Sequence, residues 1–191
     1  MKEHFYKGNQ SFKDKFFSLD FVLIFLVLLV GITSIFAMYA TEQGQFGYYT
    51  KSHLYRFFSF FSLFIIFSFV RINFWFKSAY FFYFFVLILL LSVDYFGVAA
   101  SGSKRWINLF FFNLQPSELM KISLIIFLAR YYYKIPSDNV ANIKYIFAPI
   151  LALFIPVLLV AAQPDLGTSL LILMGGIIII WLSGFSIKLF M

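Results

Sequence analysis

Two adjacent cations and an indole, Lys104-Arg105-Trp106, open a polar island that runs from Gly102 to Lys121. A guanidinium is a rigid fork of donors, an ammonium is a point charge, and a Trp ring sits well at a membrane–water boundary. Together they suit a phosphate or diphosphate headgroup. The plainer alternative is that both cations snorkel from an apolar surface toward water. Further on, Gln115, Ser117 and Glu118 surround Pro116, and Lys121 follows one turn later. Glu118 and Lys121 are spaced to meet on one helix face. Lys121 nevertheless lies a turn into an apolar run, where an unpaired ammonium is costly, so it needs a partner. Glu118 is one candidate. Asp165 is the other and the one expected to pair, from the hinge Gln163-Pro-Asp-Leu-Gly-Thr168. Asp165 is also a good cap for the helix that follows. Arg56, at the start of a span, is a candidate substrate contact, although snorkelling accounts for it as well.

The elements that must hold these groups are helices in lipid. The chain has 191 residues, is 62% hydrophobic and only 12% charged, and has a mean hydropathy of +0.90. A soluble domain carries about 25% charged residues. Six apolar runs, at 20–41, 54–70, 76–94, 117–133, 143–163 and 166–184, approach the roughly 20 residues that a helix needs to cross a bilayer. Strands of alternating polarity, as in a membrane β-barrel, are not visible. The fold class expected is an all-α polytopic membrane protein with six transmembrane helices. The first run, Phe21 to Ala40, is too long for a signal-peptide core and should remain as the first span.

Charge sets the expected orientation. If the spans alternate, Lys2, Lys7, Lys13, Lys15, Arg71, Lys77, Arg130, Lys134, Lys144 and Lys188 fall on one side, and Lys51, Arg56, Lys104 and Arg105 on the other. The richer side is the cytoplasm, which puts the N-terminus inside and the polar island outside. The net charge of +7 is therefore span-flanking, and a nucleic-acid partner is not expected. The absence of Cys excludes disulfides, and two distant His, His4 and His53, offer no metal spacing. The 30 Phe read as codon bias acting on a demand for apolar residues, since they cover every helix face.

Residues 1–19 read as a basic, frayed cytoplasmic tail, 20–184 as the membrane domain with an outer loop at 95–116, and 185–191 as a cytoplasmic end. The 95–116 loop is expected to lie along the outer interface. Pro116 suits the first position of a helix, with Glu118 complementing its dipole. Pro149 and Pro156 should kink the fifth span unless neighbours satisfy the carbonyls they free.

Four motifs in order, Gly102-Ser-Lys-Arg-Trp-Ile-Asn-Leu109, Gln115-Pro-Ser-Glu-Leu-Met-Lys121, Leu128-Ala-Arg-Tyr131 and Gln163-Pro-Asp-Leu-Gly-Thr-Ser-Leu170, closely resemble the SEDS family of shape, elongation, division and sporulation proteins. The form around Gln163 is closer to the elongation branch than to the division branch. The resemblance implies a bacterial inner-membrane, multi-pass peptidoglycan glycosyltransferase. Its substrate would be lipid II, the undecaprenyl-diphosphate-linked disaccharide peptide, and its partners a class B penicillin-binding protein and membrane lipid. Lys104 and Arg105 would then share the diphosphate, with Trp106 and Arg56 as further substrate contacts. Gln115, Ser117, Glu118, Lys121, Gln163 and Asp165 would line or brace the cavity. A divalent cation is compatible with a diphosphate, but the sequence offers no acidic cluster for it, and no metal or cofactor is assigned. Family members have about ten spans, and the acid thought to act in catalysis lies in their second half. This chain is accordingly expected to be an N-terminal part, inactive alone, with no catalytic residue assigned. A flippase for the same precursor, a division-type member and an inactive fragment are the alternatives.

Overall fold

The computed structural model of the chain describes residues 12–100, 103–109, 112–136, 140 and 142–184. It divides into two compact units, Met1–Arg71 and Ile72–Met191.

The first unit holds α1 (Phe12–Phe17), α2 (Phe21–Thr41) and α3 (Tyr48–Ser68). Residues 12–17, expected to fray with the tail, are helical, and Lys15 donates to the carbonyl of Phe69 at 3.2 Å. Asp20 caps α2 by accepting the N–H of Leu23 at 3.0 Å, the local bond for which Asp is favoured at this position. The turn into α3 passes through Gln43 and Gly44 at positive φ. Gly47, the N-cap of α3, brings no side-chain acceptor, and Glu42 takes that role from across the turn. Its carboxylate accepts the N–H groups of Tyr49 at 3.0 Å and Thr50 at 2.9 Å, and the Thr50 hydroxyl as well. α2 and α3 meet at Gly31, where an added Cβ would collide with the Phe57 ring, and at Ser34, whose Oγ lies 2.9 Å from His53 Nε2.

The second unit runs α4 (Ile72–Phe96), β1 (Val98–Ala100), β2 (Ser103–Asn108), β3 (Asn113–Leu114), α5 (Pro116–Tyr133), a 3-10 turn (Ile143–Tyr145), α6 (Phe147–Ala162) and α7 (Leu166–Leu182). Ala79, Tyr83, Val86, Leu90 and Val93 form one buried stripe on α4 at spacings of three and four. It packs with Met120, Leu124 and Leu128 of α5, Leu153 and Val160 of α6, and Ile172 and Ile180 of α7. Pro116 begins α5, where its missing N–H costs nothing. Pro149 is only the third residue of α6, so it too removes no helical bond and gives no reason for a kink. Pro156 does free the carbonyl of Ala152, and the buried Tyr83 hydroxyl donates to that carbonyl at 2.8 Å. A neighbouring helix thus satisfies the group that proline leaves open.

Helices occupy all six expected stretches, but among the described residues only Phe21–Thr41 and Ile72–Phe96 are both long and apolar enough to cross a membrane. α6 and α7 are apolar but shorter. α3 carries Lys51, His53 and Arg56, and α5 carries Glu118, Lys121 and Arg130, which lowers their hydropathy.

The connection before α5 departs from expectation more sharply. Expected as a loop, it forms a three-stranded antiparallel sheet in the order β1-β2-β3. Val98 pairs with Trp106 and Ala99 with Lys104, with an irregularity between the two, and Ile107 pairs with Leu114. Pairing satisfies backbone groups that a loose loop would leave to water, which a segment at a membrane surface favours.

Candidate functional site

Contacts decide what the two adjacent cations do, because the register irregularity falls at Arg105, with Val98 paired to Trp106 and Ala99 to Lys104, and simple alternation does not carry across it. Arg105 faces the corner between α6 and α7. Its Nε donates to the Gln163 carbonyl at 3.1 Å and its Nη2 to the Pro164 carbonyl, while Nη1 lies 3.7 Å from Asp165 Oδ2. These carbonyls end α6, where the helix dipole favours a cation.

Asp165 is committed on both oxygens. Oδ1 caps α7 by accepting the Thr168 N–H at 3.2 Å, and Oδ2 accepts from Gln115 Nε2 at 3.3 Å as well as facing Arg105. Gln163 is buried and reaches back to α4, donating from Nε2 to the Leu90 carbonyl at 3.3 Å. One cluster of Arg105, Gln115, Gln163 and Asp165 thereby joins β2, the start of α5, the α6–α7 corner and α4. Ser117 is buried beside it in the first turn of α5.

The expected pair of Lys121 with Asp165 is not formed. Lys121 Nζ lies 2.8 Å from Glu118 Oε2 and donates to Oε1 at 2.9 Å, taking the partner its own helix supplies. Helical spacing brings that carboxylate to it without further ordering, and Asp165 is already engaged. Lys104 is exposed and has no hydrogen-bond or ion-pair partner among the described residues. Trp106 is half-buried. Arg56 lies in the first unit, where its Nε donates to the Ser52 carbonyl of its own helix at 3.0 Å. Among the described residues no three His, Asp or Glu side chains stand together as a cation site.

Two polar arrangements escaped the sequence reading. Glu42 carried only its place in a loop, and its bonds to Tyr49 and Thr50 depend on the fold of the turn. The Ser34–His53 contact joins residues 19 apart. Ser34 has one hydroxyl proton for the Gly31 carbonyl and His53 Nε2, so the direction of that contact follows the His tautomer.

A helical membrane bundle, braced at one end by a small sheet and a charged corner, is the class of protein defined here. Its sequence matches the cell cycle protein family of FtsW, RodA and SpoVE over residues 15–191, and the chain belongs to that family, the SEDS proteins. It is 40% identical over 103 residues to the peptidoglycan glycosyltransferase MrdB of Escherichia coli K12, covering 54% of this chain and 27% of that protein. It is 32% identical over 143 residues to the probable peptidoglycan glycosyltransferase FtsW of Buchnera aphidicola subsp. Baizongia pistaciae, covering 75% and 38%. The crystal structure of Thermus thermophilus rod shape determining protein RodA superposes with a TM-score of 0.77 at 25% identity, over 88% of this chain and 55% of that one. A structure of a peptidoglycan synthase complex that coordinates polymerization and crosslinking gives a TM-score of 0.76 at 25% identity, over 87% and 48%. The chain thus spans from about a quarter to just over half the length of these relatives.

Proposed function

We propose that this protein acts in the polymerisation of lipid II into glycan strands, as a RodA-like glycosyltransferase of cell elongation. The names of its MrdB and FtsW relatives support the reaction class, and the observation that carries the site is the free Lys104 beside the committed Arg105. In this reading six spans cross the bacterial inner membrane with the N-terminus in the cytoplasm, and the sheet lies outside. The ten-to-four distribution of Lys and Arg supports that orientation.

The reaction is attack by a sugar hydroxyl on the anomeric carbon of a second lipid II, with the lipid diphosphate leaving. Negative charge grows on the diphosphate as the bond breaks, and a cation fixed at that point lowers the barrier. Lys104 supplies it, and Trp106 stands against the sugar or the lipid. Arg105 acts through position: it holds β2 to the α6–α7 corner and so fixes where Lys104 stands. A class B penicillin-binding protein, in keeping with the synthase complex that the fold resembles, would cross-link the product.

The test uses protein purified at its native length, reconstituted in liposomes with that partner and labelled lipid II. Glycan polymer is expected, and Lys104→Ala should lower its rate about 10–150-fold, the loss of one charge-assisted contact of about 1.5–3 kcal/mol. Unchanged polymerisation in that variant refutes the role of Lys104. Lipid II carried across the bilayer without polymer would make the protein a flippase.

A further inference from the structure

The opposite end of the second unit carries a cluster of cations that the proposed reaction leaves unused. α5 has 18 residues, so its two ends lie about 27 Å apart. There Arg130 turns onto α4. Its Nη1 donates to the carbonyls of Phe76 and Lys77, and its Cζ stands 4.6 Å from the centre of the Tyr80 ring. Lys134, one turn on, brings its Nζ to 5.4 Å from the same ring. The Lys77 side chain is exposed, and its ammonium has no hydrogen-bond or ion-pair partner among the described residues. Lys144, in the 3-10 turn before α6, adds a fourth cation near this end.

Among the described residues of this unit, acids do not balance them. The described acids of this unit are Asp94 near the end of α4, Glu118 at the start of α5 and Asp165 at the start of α7. Helix direction puts all three at the other end. Asp138 alone belongs by sequence to the turn between α5 and α6, outside the described residues.

A helix C-terminus attracts a cation, and that accounts for Arg130 or Lys134 singly. It does not account for two cations gathered on one ring with a third beside them. Arg130 is also not free to swing out to water, since its Nε is buried without a hydrogen-bond partner and its ring contact and two carbonyl bonds hold it. Fixed like charges repel, and an anion placed among them removes the repulsion. α4 exposes Phe74 and Phe81 at this end, apolar surface for an acyl chain that a free phosphate would not use.

We propose that Lys77, Arg130 and Lys134, arranged around Tyr80, bind the phosphate of an anionic phospholipid. The site stands at the end of membrane helices, where headgroups lie, and it is independent of the reaction proposed above.

Detergent-purified protein is titrated with phosphatidylglycerol and with phosphatidylcholine of equal chain length, and bound lipid is counted by native mass spectrometry. A basic side chain near a membrane surface contributes about fivefold to the binding of anionic lipid. Lys77→Gln and Lys134→Gln should each lower the preference for phosphatidylglycerol about fivefold, and the double change about 25-fold. Arg130→Gln would also cut the tie between α4 and α5, so the two exposed lysines carry the test. Lys51→Gln, in α3, is the control and should leave the preference intact. Equal binding of the two lipids overturns the site, as does a preference that survives the double change. An equal loss in Lys51→Gln would reduce the effect to net charge and overturn it too. Displacement of phosphatidylglycerol by millimolar inorganic phosphate would reassign the site to a soluble anion.

Discussion

Truncating Arg105 to Ala should unfold the corner it holds before it touches any chemistry. The guanidinium makes two hydrogen bonds, to the carbonyls of Gln163 and Pro164, and one longer contact of 3.7 Å to Asp165. A hydrogen bond from a charged donor contributes about 1.5–3 kcal/mol. The side chain is 30% exposed, so water partly replaces it and the lower end applies. The contact to Asp165 adds no more than about 1 kcal/mol. Arg105→Ala should therefore cost about 2–4 kcal/mol. Arg105→Lys should cost about half of that, because a single ammonium does not fork onto two carbonyls. For a chain of this size the loss in Arg105→Ala corresponds to a fall of about 5–15 °C in the unfolding midpoint. The assay is thermal unfolding of the detergent-solubilised protein followed by helical circular dichroism, with Lys104→Ala alongside. Lys104→Ala should melt like the parent while polymerisation falls. If Arg105→Ala melts like the parent and loses only turnover, the guanidinium serves the substrate, and the bracing role is wrong.

Two further outcomes follow from the same geometry. A double-mutant cycle on Lys121 and Glu118 should give a coupling of about 0.3–1 kcal/mol, as for a half-exposed pair, whereas a cycle on Lys121 and Asp165 should be additive; strong coupling in the second would restore the pairing the sequence suggested. The Thr50 hydroxyl, helped by the N–H groups of Thr50 and Tyr49, holds the Glu42 carboxyl below its ordinary value of 4.5. A depressed folded value stabilises the folded state above the unfolded carboxylate range and ceases to do so as pH falls through the folded value. Amide exchange at Tyr49 and Thr50, corrected for intrinsic rates, should accelerate on acidification below about pH 4.5, and Glu42→Gln should abolish that dependence. Equal acid sensitivity in the variant would remove Glu42 as the cause.

Local chemistry was legible in the sequence, and long-range partners were not. Pro116 at the start of α5 and Asp165 as the cap of α7 each need only their own turn, and both are where spacing puts them. The sheet was missed because β2 is six residues long and β3 only two, too short for alternation to stand out in so apolar a chain. From sequence, adjacent cations read as one positive patch; in the fold, Arg105 is spent on the α6–α7 corner and the Lys104 ammonium has no partner among the described residues. Depth along the membrane suggested Asp165 for Lys121, but similar depth is met by many groups, while a partner three residues away is supplied by the helix itself. At Pro156 the sequence identified a carbonyl in need of a donor, and only packing could say that Tyr83, 69 residues earlier than the freed Ala152 carbonyl, would supply it.

The pattern of satisfied groups is itself an argument about function. In the corner cluster Asp165 accepts on both oxygens, Gln163 uses its amide and its carbonyl, and Arg105 is spent on three neighbours. Polar groups near lipid that are fully paired explain themselves, because leaving any of them open would cost more than pairing it. Lys121 and Glu118 answer each other in the same way. Lys104 stands outside this accounting, since no group among the described residues pairs with its charge, and bracing could be done without it. Yet the strand that carries it is fastened through the next residue to the most heavily bonded corner of the unit. A cation that is exposed, rigidly based and unpaired among the described residues suits the diphosphate proposed for it. A mobile cation would lose rotamer freedom on meeting a diphosphate, and anchoring its backbone lowers that loss beforehand. The structural role of Arg105 and the chemical role proposed for Lys104 are thus two parts of one device, and Arg105→Lys should weaken it without reversing its charge.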